Sequence, residues 1–177
     1  CSADGLRWVS GAEKIRNYQS SESGQRPFCP RCGSGVAAVS GKLAIIPAGN
    51  LNGDIARSLD SHIFIAHKAC WFEVSDDAPQ FDEFPPNYPG IPVESETRSP
   101  ATEGAVGGRC LCGAVRYEFD GPADRMVHCH CADCRKSRSA PFATNVFVSR
   151  DRFRWIAGTE NLVHFDDSTS THLPVSF

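Results

Sequence analysis

The chain has no basic block longer than a few residues, no long apolar run and no sustained helical apolar period. With a net charge of −3, it lacks the electrostatic footprint of a nucleic-acid or anionic-membrane partner. The longest apolar run, "LAIIPA" at residues 43–48, is far too short to span a bilayer. The opening "CSADGLRWVS" lacks the cationic and apolar plan of a signal peptide. These absences set an expectation of a soluble, cytoplasmic protein with neither nucleic acid nor membrane as partner. The start at Cys1, with no initiator Met, reads as a processed chain or a fragment.

What is abundant is cysteine. There are nine, an odd count, and seven sit in close clusters: C-x-x-C at Cys29 and Cys32, C-x-C at Cys110 and Cys112, and C-x-C-x-x-C at Cys129, Cys131 and Cys134. A secreted disulfide scaffold would usually be shorter, even in count and preceded by a signal peptide. Clustered thiols in a reducing compartment point instead to metal or catalysis. Cys1 and Cys70 have no neighbours at metal spacing, and Cys70 reads as a small packed hydrophobe.

The 177 residues suffice for one ordinary domain or two small ones. Residues 79–100 hold six of the twelve prolines and read as an extended linker. We place the linker proper at 85–100, between a front part, 1–84, and a back part, 101–177. The parts share a piece: "LRWVSGAEKIRNY" at 6–18 lines up with "FRWIAGTENLVHF" at 153–165. The chain therefore looks like the back half of one unit, a linker, and the front half of a second. Short β patterns dominate: "KLAII", "SHIFIA", "AVRYEF", "ATNVFVS" and "DRFRWI". Residues 133–139 can form a turn of helix. The expected fold class is mostly β.

Cys29 and Cys32 are spaced to reach one metal ion from a tight turn, and Gly33 gives that turn its backbone freedom. Cys110 and Cys112, on alternate positions of a strand, would present two more thiolates. Two plus two makes a closed, structural four-cysteine zinc site tying front to back; free buried thiols are the bland alternative. In "HCHCADC", Cys129 and Cys131 would share a strand face and Cys134 return from the next turn. Three ligands leave one position for water or substrate, as catalytic zinc sites do. A thiol bound there would be deprotonated and nucleophilic. The alternatives are a site closed by a histidine and a Cys131–Cys134 disulfide. Strand alternation turns His128 and His130 away from the sulfurs, towards packing or hydrogen bonding. Arg135 and Lys136 could hold an anionic ligand, although such cations are usually just solvated.

At these residues a family resemblance appears. "GGRCLCGAVRYEFDGP", "VHCHCADCRKSRSAPFA" and "FRWIAGTENL" resemble the front half of glutathione-dependent formaldehyde-activating enzymes and of relatives around centromere protein V. "LRWVSGAEKIRNY", "RPFCPRCGSGV" and "HIFIAHKACWFEVSDDAPQFDEFP" resemble the back half. The resemblance implies a β-tent of twisted antiparallel sheets around a zinc knuckle. It implies two zinc ions per complete unit, one structural on Cys29, Cys32, Cys110 and Cys112, one catalytic on Cys129, Cys131 and Cys134. It also implies glutathione, or another thiol, as cosubstrate. The chain departs from the family in order, back half before front half. Two versions of the Trp8/Trp155 strand would then compete for one place, leaving one spare or swapped into a neighbouring chain.

The leading functional expectation is a zinc-dependent carbon–sulfur lyase acting on a small-molecule thiol and a small aldehyde or related electrophile, with His130 a nearby guess at a base. The alternative is a zinc-stabilised, non-catalytic protein-binding module. A redox reductase ranks last, since only Cys1 or Cys70 would be left to react.

Overall fold

In the computed structural model, residues 2–22, 24–86 and 102–165 are described. The chain is mostly β, in small antiparallel sheets with one helix, α1, at Ala132–Arg138. It divides into two compact units, one made of Cys1–Asn52 with Pro100–Phe177, the other of Gly53–Ser99. No helix among the described residues is long and apolar enough to cross a membrane.

In the first unit, β1 (Arg16–Gln19) pairs with β2 (Gln25–Phe28), and β3 (Ala38–Ser40) with β4 (Leu43–Ile45). A three-stranded sheet has the order β5 (Ala105–Arg109), β6 (Arg116–Asp120), β9 (Phe153–Ala157). Strands β7 (Arg125–Cys129) and β8 (Ala143–Phe147) form a separate pair, with His128 opposite Thr144 and Cys129 opposite Ala143.

Period-two alternation gives the three-stranded sheet two chemically distinct faces. On one, Tyr117, Phe153 and Trp155 pack ring against ring at centroid distances of 5.1–5.8 Å. Gly108 lies opposite Tyr117, and a Cβ there would fall 2.3 Å from the ring, so the glycine makes room for the aromatic. On the other face Glu118, only 1% exposed, takes Arg154 at 2.9 Å and the Thr102 hydroxyl at 2.8 Å. A carboxylate so buried needs its cation, because an unpaired charge there would be far costlier than the pair. Arg154 also bonds Asp120 at 2.6 Å.

Asp120 yields a pH prediction. The hydrogen bond from Arg154, aided by the charges of Arg154 and Arg152, lowers its pKa against a smaller opposing effect of burial. A folded pKa below the unfolded one means the stabilisation is complete above the ordinary carboxylate range, near about 3.9, and lost as pH falls through the lowered value. Its carboxyl titration by NMR is expected below that of a free Asp. About 1 M salt should move it upward, since the pair is exposed to screening. A midpoint unmoved by salt would contradict the ion-pair origin.

The strands expected at 42–46, 114–119, 143–149 and 151–156 are present as β4, β6, β8 and β9. "SHIFIA" is not a strand. Phe64 adopts a left-handed conformation (φ 58°), Ile65–His67 forms a 3-10 turn, and His62 makes only an isolated bridge to Gln80. Backbone bonds from His62, Phe64 and Ile65 run instead to Pro79, Glu83 and Phe81, so the first residues of the proline-rich stretch are held in the second unit. Most of the expected linker, 87–100, lies outside the described residues. The second unit carries an open cavity of about 300 Å³, lined by Phe64, Trp71 and Phe72 among others, and a His62–Asp76 contact of 2.9 Å.

Candidate metal centre

Strand β7 ends at Cys129, His130 makes the turn, and Cys131 caps α1. The cap is a sulfur: Cys131 Sγ accepts the Cys134 N–H at 3.4 Å. Cys129 and Cys131 therefore do not share a strand face as expected, because the strand stops one residue after contributing its first thiol. The strand end, the cap and the first helical turn nonetheless bring all three sulfurs together. The sulfurs of Cys129, Cys131 and Cys134 lie within 4.8 Å of one another, with Cys129 Sγ 3.5 Å from Cys131 Sγ. Among the described residues no other group of three or more His, Cys, Asp or Glu ligand atoms converges this way.

The donor set fits a soft cation. The Cys129 thiol is pushed below its ordinary pKa by the Cys131 backbone N–H and by hydrogen bonds from Cys134 and Cys131. The Cys134 thiol is pushed up to about 12, first by burial and then by its two sulfur neighbours. Three thiols this close cannot all ionise on their own, as like charges disfavour one another. A bound cation would let the third proton leave, and three thiolates suit zinc.

The frame around α1 comes from the front of the chain. Residues Ala48–Asn50 form a 3-10 turn packed against α1, where Gly49 approaches the Ala140 backbone so closely that a Cβ would lie 2.3 Å from its nitrogen and oxygen. The Gly35 carbonyl accepts from Asn50 Nδ2 at 2.5 Å and Ser139 Oγ at 3.1 Å. Ser139 is the left-handed C-cap of α1 (φ 54°), so its hydroxyl anchors the residue that ends the helix. Arg135 Nη1 reaches the Gly49 carbonyl at 3.5 Å. Gly35, Gly49, Asn50 and Ser139 escaped the sequence reading, because their roles rest on contacts with residues far away in the chain.

His128 and His130 pack and hydrogen-bond as expected, although His130 lies beyond the end of β7 and strand alternation does not orient it. His128 Nδ1 bonds Thr144 Oγ1 at 3.0 Å, and both rings pack on Phe142 at 4.5 and 5.1 Å.

Cys29 and Cys32 occupy a tight turn closed by Gly33 N–H to Cys29 O at 2.8 Å, with Gly33 at φ 73°. Cys110 and Cys112 also sit in a turn, not on a strand, since β5 ends at Arg109 and Gly113 closes onto Cys110 O at 3.0 Å. Their sulfurs are 3.3 Å apart. The Cys32 backbone N–H lowers the Cys29 pKa, and the Val115 N–H lowers that of Cys110. The structure forms these two pairs but does not gather all four sulfurs into one cluster. Cys70 is exposed, and Cys1 lies outside the described residues.

A mostly-β chain with a convergent three-thiol cluster belongs to the class of proteins with a site suited to a metal. Residues 105–177 match the model of the family described as glutathione-dependent formaldehyde-activating enzyme, so the back part of the chain is similar to that family. The match includes β5 to β9 and all of Cys110, Cys112, Cys129, Cys131 and Cys134, and it does not reach residues 1–104. No solved structure matches the chain.

Proposed function

We propose that the protein is a cytoplasmic, zinc-dependent carbon–sulfur lyase that adds a thiol such as glutathione to a small aldehyde, or reverses that addition. The observation that carries this reading is the convergence of three sulfurs within 4.8 Å, inside the segment that matches a glutathione-dependent family. Cys129, Cys131 and Cys134 hold the catalytic ion. Cys29, Cys32, Cys110 and Cys112 hold a structural one, in a β-tent assembled from a back half and a front half in permuted order. Zinc, when bound, supplies a Lewis acid that makes a thiol nucleophilic at neutral pH. The chain's own part is to fix three donors through the β7 end, the α1 cap and the first helical turn. In the addition, a carbon–sulfur bond forms, the carbonyl π pair moves to oxygen, and the thiol proton ends on that oxygen.

The test combines elemental analysis with NMR detection of the thiol–aldehyde adduct. Two zinc ions per monomer and faster exchange between glutathione, formaldehyde and hydroxymethyl adduct are expected. Two ions without any acceleration would favour a zinc-stabilised binding module. One ion, retained in Cys131→Ser, would remove the catalytic site.

A further inference from the structure

The duplicated sequence is also duplicated structure, but only in part. Gly11 and Gly158 both adopt the left-handed conformation, at φ 77°, ψ 8° and φ 83°, ψ 19°. Each opens a three-residue 3-10 turn, Ala12–Lys14 and Thr159–Asn161, closed by the next N–H onto the first carbonyl. The arms before these corners differ. Phe153–Ala157 is β9, paired with β6; residues 6–10 form no strand, and Trp8 and Val9 are 42% and 89% exposed. The segment lies between a tether at Ala3 N–H to Lys42 O and strand β1.

We infer that β6 is a docking site with two alternative occupants in the same chain, and that residues 6–10 can replace Phe153–Ala157 there. All but one of the features that dock β9 recur in the copy. In the observed register Tyr117 faces Trp155, Glu118 faces Arg154 and Phe119 faces Phe153. The repeat puts Trp8, Arg7 and Leu6 in those places. Arg7 would then answer the buried Glu118 carboxylate; among the described residues it forms no ion pair now. Gly11 would take the corner where a Cβ on Gly158 would lie 2.2 Å from the Ala114 carbonyl oxygen, a place open to glycine alone. Gly11 has nothing within 4 Å of its own Cβ direction, so only its conformation demands glycine where it now sits. The one loss is Phe153, whose ring packs on Tyr117 and Trp155 while Leu6 brings none. That difference favours β9 in the present arrangement.

The two occupants lead to different places. From Gly11 the chain runs through a 3-10 turn into β1, and β2 returns so that Phe28 pairs with Arg16. About 13 Å of chain leads from that corner to Arg16, and Cys29 follows Phe28, the cross-strand partner of Arg16. Docked at Ala114, this would carry the Cys29–Cys32 turn towards the Cys110–Cys112 turn. This last step, unlike the exchange itself, rests on the proposed four-cysteine zinc.

Hydrogen exchange with mass spectrometry on the full chain tests the exchange. In Arg154→Glu, and separately in Gly158→Val, exchange at 153–157 should rise at least tenfold and at 6–10 fall at least tenfold, with β5 still protected and the native mass monomeric. Residues 6–10 exchanging at the wild-type rate in both variants would overturn the inference. So would loss of β5 protection in both, since exchange leaves β6 paired. Protection of 6–10 only with a doubled mass would replace it with exchange between copies. In the wild type, zinc against a chelator should shift protection from 153–157 to 6–10. If the variants exchange strands and zinc does nothing, the docking site stands and the four-cysteine reading falls.

Discussion

Cys131→Ser is expected to remove one metal equivalent per chain and to weaken what binding remains by more than about 100-fold. Altering even an outer partner of a metal ligand typically costs 10–100-fold. The substitution is informative because Cys131 has two jobs: its sulfur belongs to the cluster and also accepts the Cys134 N–H as the α1 N-cap. Serine is among the best N-caps, so the helix should survive and only the soft donor should vanish. Circular dichroism unchanged from wild type, together with the lost equivalent by elemental analysis, would separate the roles. Retention of full metal content would show that Cys131 serves the helix alone.

Gly49→Val should lower stability by about 2–3 kcal/mol, a drop in Tm of roughly 5–10 °C. Its Cβ would lie 2.3 Å from the backbone nitrogen and oxygen of Ala140, and backbone cannot rotate away as a side chain would. The Ala48–Asn50 turn must then lift off α1, which carries Cys134. Metal affinity should fall with stability, although no donor has changed. Gly5→Ala is the control: nothing lies within 4 Å of a Cβ there, and Tm should move little. Equal melting of the two variants would dismiss the clamp.

Spacing made the sulfur clusters legible from sequence, because ligands a few residues apart must share a neighbourhood whatever the secondary structure. The local geometry was less legible. Alternation along a strand predicts one shared face for Cys129 with Cys131 and for Cys110 with Cys112, yet both pairs lie across turns. Strands rich in β-branched and aromatic residues announced themselves, whereas β5, "AVGGR", did not, since its glycines serve the Tyr117 ring on the next strand. "SHIFIA" has strand composition but hydrogen-bonds to residues 79–83, and composition carries no information about which partner arrives. Gly35, Asn50 and Ser139 were illegible for the same reason.

The clamp on α1 also orders events in time. Ser139 reaches Gly35 across 104 residues, while Cys129 to Cys134 closes within one short loop. Closing the longer span costs about 2–3 kcal/mol more in chain entropy, and contacts of such separation form late. The three sulfurs can thus meet an ion while most of the chain is still unstructured, and the segment around Gly49 then settles over a helix whose first turn is already fixed. The three donors need only local chain to meet, and the distant frame holds in place what local chain brings together.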